Sequence, residues 1–488
     1  MQAFDQIIIG AGLSGLIQAA ILAQAGCKVC LLEASAKPGG YLQTFSRKGH
    51  KFDIGFHYMG CTNVDKPLRK LFQYLQIFDK LPLHCYPDDC FYQVHSREHA
   101  FSLPASFSTF IEKLARTFPA EQPAIAQFHA LVTAVTTSFR WYDLRAGHFS
   151  RAPGSLPLPT CSVGKWLDEN VHDPWLKSLL GSFSFHLGLR PHEAPMTAYS
   201  LCLHSIFDHP VWLSAGGDGL IQPLYQRVRE LGVDIRFRTP VVQLKCENKR
   251  VQAVLTNNGD VFRSSWVIAT MHPKQTVQML DENALGTIFK ERILNMQEAR
   301  GSFGVYLILK RDLPTIQPIN YLYLADNPLY EGVYFHSPSL LNREPEKPRC
   351  TMFCFVESGP FMAFRGSKRE SRSPAYTELK QKYTASLLGD MKKFIPELEN
   401  NITDVYTSSP LTNEEYTGSV EGSAFGISHN LEQQGIHRPQ PFNRIKNLVF
   451  SGQSIHMPGI AGVTINAFYS AALILGEDWL FNKVAAAG

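Results

Sequence analysis

The fold of this chain is decided by the stretch Gly10-Ala11-Gly12-Leu13-Ser14-Gly15, which follows the apolar run Ile7-Ile8-Ile9. A helix is predicted over residues 16–24 and a second strand over 29–32, so the glycines lie between a strand and a helix. A strand, helix, strand unit of roughly 30 residues requires a parallel sheet with a right-handed crossover. These opening residues therefore predict a doubly wound α/β domain.

The three glycines of this stretch have distinct physical uses in a dinucleotide site. Gly10 permits the tight turn after the strand, Gly12 lets the backbone approach a pyrophosphate, and Gly15 lets the helix pack closely on the strand. The N-terminus of the following helix directs free N–H groups at the anion. In this context the pattern G-x-G-x-x-G predicts a dinucleotide cofactor.

Glu33, at the end of the predicted second strand, narrows the choice of dinucleotide. Its carboxylate can accept hydrogen bonds from both hydroxyls of an adenosine ribose and would repel a 2′-phosphate, so FAD or NAD fits and NADP does not. The stretch Gly216-Gly217-Asp218-Gly219 lacks both a preceding apolar strand and the motif spacing. A second, dedicated NAD(P)H domain is therefore not predicted.

Two further α/β-like segments occur far along the chain. Their predicted elements are a helix over 220–231, strands over 234–237, 241–246, 251–256, 266–269 and 447–451, and a closing helix from about Gly462 to residue 475. The predicted domains are a discontinuous FAD-binding domain of residues 1–65, 211–280 and 440–488, and a substrate domain of residues 66–210 and 281–439. The Pro-rich residues 151–160 are predicted to be a surface loop of the substrate domain.

Composition excludes several classes of protein. Of the 488 residues, 44% are hydrophobic and 18% are charged, which excludes a disordered chain and a coiled coil. The net charge of +4 is spread evenly, so nucleic acid is not an expected partner. The 32 Phe and 18 Tyr supply aromatic surface that a core, an apolar ligand or a lipid must cover. The sequence therefore favours an apolar small-molecule partner.

The sequence also allows predictions about membrane-spanning helices, the location of the protein in the cell and metal sites. No apolar run reaches the length of about 18 residues that predicts a membrane-spanning helix. Ten cysteines without a framework spacing, and an N-terminus without a basic leader, predict a reducing, cytoplasmic location. No metal site is predicted, because no ligand spacing is matched by the cluster His84, Cys85, Cys90, His95 and His99.

Two motifs beyond Glu33 carry a resemblance to a known family. Gly39-Gly40, preceded by Lys37-Pro38, resembles the FAD-binding start shared by flavin amine oxidases, carotenoid desaturases and the Rab escort/GDI proteins. A second stretch resembles a narrower group, the retinol saturase and carotenoid isomerase-like branch of the carotenoid (phytoene) desaturase family. This stretch is Phe52-Asp53-Ile54-Gly55-Phe56-His57-Tyr58-Met59-Gly60. The resemblance implies FAD rather than NAD, held in a glutathione-reductase-like (Rossmann-type) domain with an inserted mixed α/β substrate domain.

The C-terminal segment carries the same resemblance with one departure. Gly452-Gln453 stands where many relatives have Gly-Asp, and retinol saturase-like members look to have Gln there. A helix that begins near Gly462 would direct N–H groups at the N1/O2 edge of a flavin. The cofactor contacts implied by the motifs and the resemblance are Gly10, Ala11, Gly12, Leu13, Ser14, Gly15, Glu33, Ala34, Gly39, Gly40, Tyr41, Val241, Gly452, Gln453, Gly462 and Val463.

His57 and Tyr58 are the candidate catalytic residues, because the resemblance places their segment beside the isoalloxazine. One interpretation makes His57 a proton donor that faces the substrate. The other makes it a structural histidine with satisfied hydrogen bonds. The sequence leaves both interpretations open.

The function implied by the resemblance is that of an FAD-dependent oxidoreductase acting on C=C or CH–CH bonds of an apolar isoprenoid, carotenoid or other polyene lipid. Three alternatives stay open: a redox-neutral flavin-dependent carotenoid isomerase, a flavin amine oxidase, and a non-enzymatic GDI-like lipid-binding chaperone. An amine oxidase would use an aromatic cage and usually a lysine near flavin N5, and neither can be placed. The intact glycine motif and Glu33 argue against the chaperone. NAD(P)H is expected as a transient electron donor, and a membrane surface as a peripheral contact.

Overall fold

The computed structural model of the chain describes residues 3–144, 158–367 and 372–487. Its strands are β1 (Ala3–Ile9), β2 (Val29–Leu32), β3 (Thr44–Arg47), β4 (His50–Asp53), β5 (Leu83–Cys85), β6 (Tyr92–His95), β7 (Ala100–Leu103), β8 (Val211–Leu213), β9 (Asp234–Arg236), β10 (Val241–Glu247), β11 (Arg250–Thr256), β12 (Val261–Ala269), β13 (Gly301–Leu309), β14 (Asn320–Asn327), β15 (Tyr330–His336), β16 (Arg349–Val356), β17 (Ile402–Ser408) and β18 (Leu448–Phe450). The loop predicted over 151–160 lies outside the described residues as far as residue 157.

The helices lie mostly between these strands. They are α1 (Leu13–Gln24), α2 (Pro67–Tyr74), α3 (Phe107–Thr117), α4 (Gln122–Thr137), α5 (Val163–Asn170), α6 (Pro174–Ser182), α7 (Met196–Ile206), α8 (Asp218–Glu230), α9 (Pro273–Met279), α10 (Thr287–Leu294), α11 (Pro338–Asn342), α12 (Gly359–Met362), α13 (Pro374–Phe394), α14 (Leu398–Asn401), α15 (Pro410–Thr417), α16 (Gly459–Leu475) and α17 (Glu477–Ala485). Within the described residues, none of these helices combines the length and the apolar composition needed to cross a bilayer.

The first sheet joins strands from three distant parts of the chain. Its order is β10-β11-β12-β1-β2-β9, and β18 pairs with β12. The strands β18, β12, β1, β2 and β9 run parallel, and Ile7 of β1 lies between Val267 and Cys30. Ile7 and Ile8 are both fully buried, as expected of a central parallel strand that is covered on both faces. The predicted α/β fold with its parallel sheet is confirmed.

The second sheet takes strands from both insertions. Its order is β17-β13-β16-β15-β14-β6-β7, in which β14 and β6 are parallel and the other pairs are antiparallel. Helices α3 and α7 both pack against α4, and all three belong to the first insertion. This mixed α/β unit agrees with the fold class expected for the substrate domain. The domain boundaries at 66–210 and 281–439 stay a prediction.

Three helices of the first unit begin earlier than predicted, and α8 does so by two residues, at Asp218 and not at residue 220. Helix α1 begins at Leu13 and not at residue 16, because Gly12 is extended and its carbonyl accepts the first helical hydrogen bond. Helix α16 begins at Gly459 and not near Gly462, because Gly459 has a φ of +75° and turns the chain directly after Pro458. Gly462 therefore lies inside the first turn of α16. The predicted start of this helix was wrong by about one turn.

Candidate active site

A cavity of about 690 Å³ is lined by residues of both sheets. One part, the dinucleotide groove, is formed by loops after the carboxyl ends of β1, β2, β12 and β18, where doubly wound sheets bind ligands. The other part, the aromatic chamber, has one face of the second sheet as its floor. Residues of the aromatic chamber are His57, Phe185, His186, Ser302, Gly304, Tyr306, Thr351, Phe353 and Phe355.

The glycine loop of the dinucleotide groove has the geometry that a pyrophosphate needs. Gly10 has a φ of +105°, a left-handed conformation that favours glycine. A Cβ added at Gly15 would lie 1.9 Å from the carbonyl oxygen of Gly10, so this position requires glycine. A Cβ added at Gly12 would meet no atom within 4 Å, because Gly12 faces the open cavity. The groove therefore has room for a phosphate group beside the uncapped N-terminus of α1.

Glu33 joins the end of β2 to the glycine loop. The backbone N–H of Ala11 donates to Glu33 Oε2 at 2.6 Å, and the N–H of Ser35 donates to Oε1 at 2.7 Å. Each carboxylate oxygen can accept a further hydrogen bond. Glu33 also lines the cavity, so these remaining lone pairs are available to ribose hydroxyls. Contact between Glu33 and a ribose stays a prediction.

The other predicted cofactor contacts divide into two groups. Those that line the cavity with Gly10, Gly12 and Glu33 are Leu13, Ser14, Ala34, Gly39, Gly40, Tyr41, Val241, Gly452, Gln453 and Val463. Ala11, Gly15 and Gly462 are not among the lining residues. A Cβ added at Gly462 would lie 2.6 Å from the Met457 carbonyl oxygen, so this glycine provides close packing. The start of α16 instead presents Gly459 and Ile460 to the cavity.

Hydrogen bonds made by Ser14, Ser451 and Thr270, which all line the groove, were not predicted from the sequence. Ser451 Oγ, just after β18, lies 3.0 Å from Ser14 Oγ and accepts hydrogen bonds from the side-chain amides of Gln18 and Asn466. Thr270 Oγ1, just after β12, donates to the carbonyl group that ends β1. These bonds fix the strand ends relative to α1 and α16. The available signal was a hydroxyl residue directly after an apolar strand, since a buried hydroxyl needs a partner.

Alternate residues of β13 and β16 form the floor of the aromatic chamber, because side chains two positions apart point to the same face of a strand. Phe353 lies at the middle of the three β16 residues. The imidazole of His57 stacks on it, with ring centroids 4.6 Å apart, and lies 4.8 Å from the ring of Tyr334. Phe185 packs against Phe355 at 4.7 Å. The chamber is therefore lined mainly by aromatic side chains.

His57 and Tyr58, the predicted catalytic pair, occupy different environments. His57 lines the chamber, whereas Tyr58 packs behind its wall against Tyr92 and His186. Burial, together with nearby His336 and His186, lowers the pKa of His57 well below its ordinary value. Burial raises the pKa of Tyr58 well above its ordinary value. Both groups are neutral at about pH 7, where a neutral imidazole is a poor proton donor, and their catalytic role stays a prediction.

Formal charge is confined to one end of the cavity. Among the described residues that line it, Glu33 is the one carboxylate, and lysine and arginine are absent. The lining histidines are His57, His186 and His272. Burial lowers the pKa of His186 to about 4, so this ring too is neutral. The aromatic chamber therefore offers an uncharged surface.

The sequence matches the profile described as flavin containing amine oxidoreductase over residues 13–475. The chain belongs to this flavin-containing amine oxidoreductase family. It is therefore a flavin-dependent oxidoreductase, and the groove around Gly12 and the start of α16 fits the cofactor of the family.

Two relatives extend along nearly the whole chain. All-trans-retinol 13,14-reductase of Danio rerio is 23% identical, and the match covers 97% of this chain and 86% of that protein. The 4,4'-diapophytoene desaturase (4,4'-diaponeurosporene-forming) of Staphylococcus haemolyticus is 24% identical, with 94% of this chain and 95% of that protein covered. The similarity to retinol saturases and carotenoid desaturases, predicted from the residues around His57, is confirmed.

Two solved structures share the fold of this chain over nearly its whole length. An oxidoreductase from Methanosarcina mazei has a TM-score of 0.66 at 17% identity, covering 96% of this chain and 99% of that chain. Putrescine oxidase bound to putrescine has a TM-score of 0.66 at 19% identity, covering 97% of this chain and 99% of that chain. At these identities the likeness shows the fold alone.

Proposed function

We propose that this protein is an FAD-dependent oxidoreductase that acts on C=C or CH–CH bonds of a neutral, apolar isoprenoid, carotenoid or other polyene lipid. The observation that carries the proposal is the uncharged aromatic chamber opening onto a dinucleotide groove. A flavin bound in the groove supplies hydride exchange with a carbon–carbon bond held against its ring. The chain supplies the binding surface, the exclusion of water and the orientation of the substrate.

FAD is the proposed form of the flavin, since the groove is built for a dinucleotide. The open space at Gly12 accepts the pyrophosphate, and the free lone pairs of Glu33 accept the ribose hydroxyls. The uncapped start of α16, with Gly459 and Ile460 at the cavity, is proposed to direct N–H groups at the flavin ring. Such a glycine cradle also argues against a GDI-like chaperone, which would need no close approach to a phosphate.

The lining of the chamber favours a polyene over an amine. An ammonium group buried there would lose its hydration, and the described chamber residues include no carboxylate to replace it. This argues against an amine substrate, although putrescine oxidase has the same fold. A conjugated chain would instead stack on Phe353, Phe355 and the His57 ring. The two relatives named above, a retinol reductase and a diapophytoene desaturase, support this substrate class.

The roles of His57 and Tyr58 in this proposal follow from their surroundings. The neutral His57 ring, stacked on Phe353, shapes the wall against which the substrate lies. Tyr58 does not itself line the cavity and acts through His186, a lining residue against which it packs. Catalysis then depends on the position of the substrate more than on proton transfer.

We also propose how electrons and substrate reach this enzyme, and where it is located. NAD(P)H would reach the flavin by visiting the open cavity. A membrane surface would deliver the substrate, since Val64 and Trp479 are exposed near the mutually packed helices α2 and α17. The ten free cysteines fit a reducing, cytoplasmic location.

The test is a redox cycle on the purified holoprotein. In one arm the bound flavin is reduced without oxygen by dithionite, NADH or NADPH and then mixed with a panel of polyenes. In the other arm the oxidised holoprotein is mixed without oxygen with saturated precursors of these polyenes and, as controls, with putrescine and other amines, all of which can only donate electrons to the flavin. We expect a polyene to reoxidise the flavin and to gain about two mass units, or a saturated precursor to reduce it. Turnover of amines without any polyene reaction would contradict the proposal.

A further inference from the structure

Arg438 is a cation buried in the core beside the dinucleotide groove. It is 4% exposed and does not line the cavity. Its Nη1 donates to the Ser428 carbonyl oxygen at 2.8 Å, and its Nη2 donates to the Ile427 carbonyl oxygen at 2.7 Å. Its Nε has no hydrogen-bond partner within the described residues. Among the same residues it forms no ion pair, which is unusual for a buried guanidinium.

His429 connects this guanidinium to the loop after β18. Arg438 Nη2 lies 3.0 Å from His429 Nε2, and the same ring nitrogen lies 3.1 Å from the Gln453 carbonyl oxygen. A guanidinium only donates, so Nε2 accepts and carries no proton. Burial, and after it the charge of Arg438, lower the pKa of His429 well below its ordinary value, which agrees with a neutral ring. The positive charge therefore stays on Arg438, one histidine away from a residue that lines the groove.

The buried charges around Arg438 are not balanced. Glu298 lies 3.0 Å from His272 Nε2 and 2.8 Å from Lys274 Nζ, and it is also the acidic group that acts electrostatically on Arg438. Burial nevertheless lowers the pKa of Arg438 to about 9. One carboxylate thus faces two cations, here called the buried charge cluster: Arg438, Lys274 and Glu298. Unbalanced charge in a protein interior is costly, so the cluster calls for a further negative charge nearby.

The groove is the place where such a charge would lie. The cluster reaches the groove at two points, because both Gln453 and His272 line it. The described lining holds no lysine or arginine, so a diphosphate bound there would meet helix N-termini and no cation. The positive charge that the lining lacks is present directly behind it, on Arg438.

We propose that Arg438 is the counter-charge of the cofactor's diphosphate and acts on it through the protein interior without touching it. Attraction between charges falls slowly with distance in a medium of low dielectric constant, and salt screens it little there. Arg438 is thus a positioning residue, which holds the Gln453 loop and supplies positive charge behind it. This inference rests on the proposed FAD form of the cofactor. Riboflavin, which has the same ring without phosphates, would gain nothing from the charge.

The experiment measures the affinity of the full-length, flavin-depleted chain for FAD and for riboflavin by fluorescence quenching. We expect Arg438→Met to weaken FAD binding by about tenfold or more, and to change riboflavin binding by less than about twofold. Arg438→Lys keeps the charge and should recover most of the affinity for FAD. The ratio of the two affinities separates charge from packing, because a distorted groove would weaken both ligands.

Glu298→Gln changes the buried charge cluster in the opposite direction. It removes the carboxylate and preserves the shape of the side chain, so FAD should bind severalfold more tightly and riboflavin as before. This variant tests the inference even if Arg438→Met does not fold. Arg349→Met is the matched control, because Arg349 is as deeply buried, at 3% exposed, but pairs with Glu344 and does not line the cavity. It should leave the ratio of FAD to riboflavin affinity unchanged.

The outcomes separate this inference from the proposed function. Equal losses of FAD and riboflavin affinity in Arg438→Met would overturn the inference, as would a loss in Arg438→Lys as large as that in Arg438→Met. Weaker FAD binding by Glu298→Gln would also overturn it. A lower reduction potential with unchanged FAD affinity in Arg438→Met would place the effect of the charge at the ring, against the proposal. If the unmodified protein binds riboflavin as tightly as FAD, the proposed FAD cofactor itself fails.

Discussion

The imidazole of His57 lies stacked on the ring of Phe353, with their planes inclined by 22°. Its Nδ1 atom is buried and has no hydrogen-bond partner within the described residues. A ring held in this way contributes a fixed apolar surface, while burial and two neighbouring histidines keep it neutral. The contact therefore indicates a role in shape more than in proton transfer.

Replacing His57 by Phe tests this role. Phe preserves the stack and loses no hydrogen bond at Nδ1, so we expect flavin content and the single-turnover rate of the bound flavin with a polyene to change little. Loss of a general acid would instead slow the step by about 100-fold or more. A fall of that size in stopped-flow measurements, with flavin still bound, would make His57 the proton donor.

Gly12 and Gly15 form a matched pair for mutation to Ala. At Gly12 the new Cβ enters open cavity, so the ligand-free protein should keep its melting temperature and lose flavin affinity. At Gly15 the Cβ would lie 1.9 Å from the Gly10 carbonyl oxygen, so the fold itself should lose stability by an amount typical of overpacking, about 1–3 kcal/mol. Thermal unfolding without flavin, and flavin titration, separate the two effects. Equal destabilisation by both variants would contradict the open cradle.

Glu33→Ala should weaken flavin binding by removing the acceptors for ribose hydroxyls, by about 1–3 kcal/mol for each charged hydrogen bond lost. It also leaves the N–H groups of Ala11 and Ser35 without their acceptor. Glu33→Gln is the matched control, because its amide oxygen still accepts one of these bonds without charge. Equilibrium dialysis of flavin measures the effect, and an affinity unchanged in Glu33→Ala would remove Glu33 from the site.

The buried histidines predict a loss of stability in mild acid. Burial lowers the pKa of His186 and of His456 to about 4, and that of His336 to about 3. Unfolded histidines bind a proton below about pH 6.5, whereas these folded ones do not, so the unfolded state gains protons first. Stability is therefore full above about pH 6.5 and falls between about pH 6.5 and 3. Melting temperatures across this range measure the fall.

Asp53 makes stability depend on pH in the opposite direction from the buried histidines. Burial raises its pKa to about 7, although the Gly217 N–H donates to it at 2.7 Å. The folded carboxyl thus binds a proton that the unfolded one releases, and its contribution to stability is present below about pH 4 and is lost as the pH rises to 7. Asp53→Asn removes this pH dependence. The loss of stability that the buried histidines cause as the pH falls should therefore be steeper in this variant than in the unmodified protein. An identical pH profile would contradict the raised pKa.

Local patterns sufficed to predict the first α/β unit. The run Ile7-Ile8-Ile9, the glycines and Glu33 each act within about 30 residues, where strand and turn chemistry are readable. The helix starts were less accurate, because Gly12 and Gly459 begin helices through backbone angles that side-chain periodicity does not report.

Contacts between residues far apart in the chain could not be predicted from the sequence. Nothing local indicates that Ser451 would meet Ser14, or that β16 would place Phe353 under His57. The lowered pKa of His57 likewise depends first on burial and then on His336 and His186, which are distant in the chain. The loops that line the groove could be predicted from motifs, whereas the chamber could not, since it arises only from tertiary packing.

Strand β18 comes late in the chain, yet it pairs with β12 and carries Ser451 to the glycine loop. During synthesis, β1, β2 and β12 leave the ribosome long before β18 and α16 do. A nascent chain therefore holds half of a nucleotide pocket without the other half. We therefore expect the groove to be complete, and able to retain a flavin, only after β18 and α16 have been synthesised.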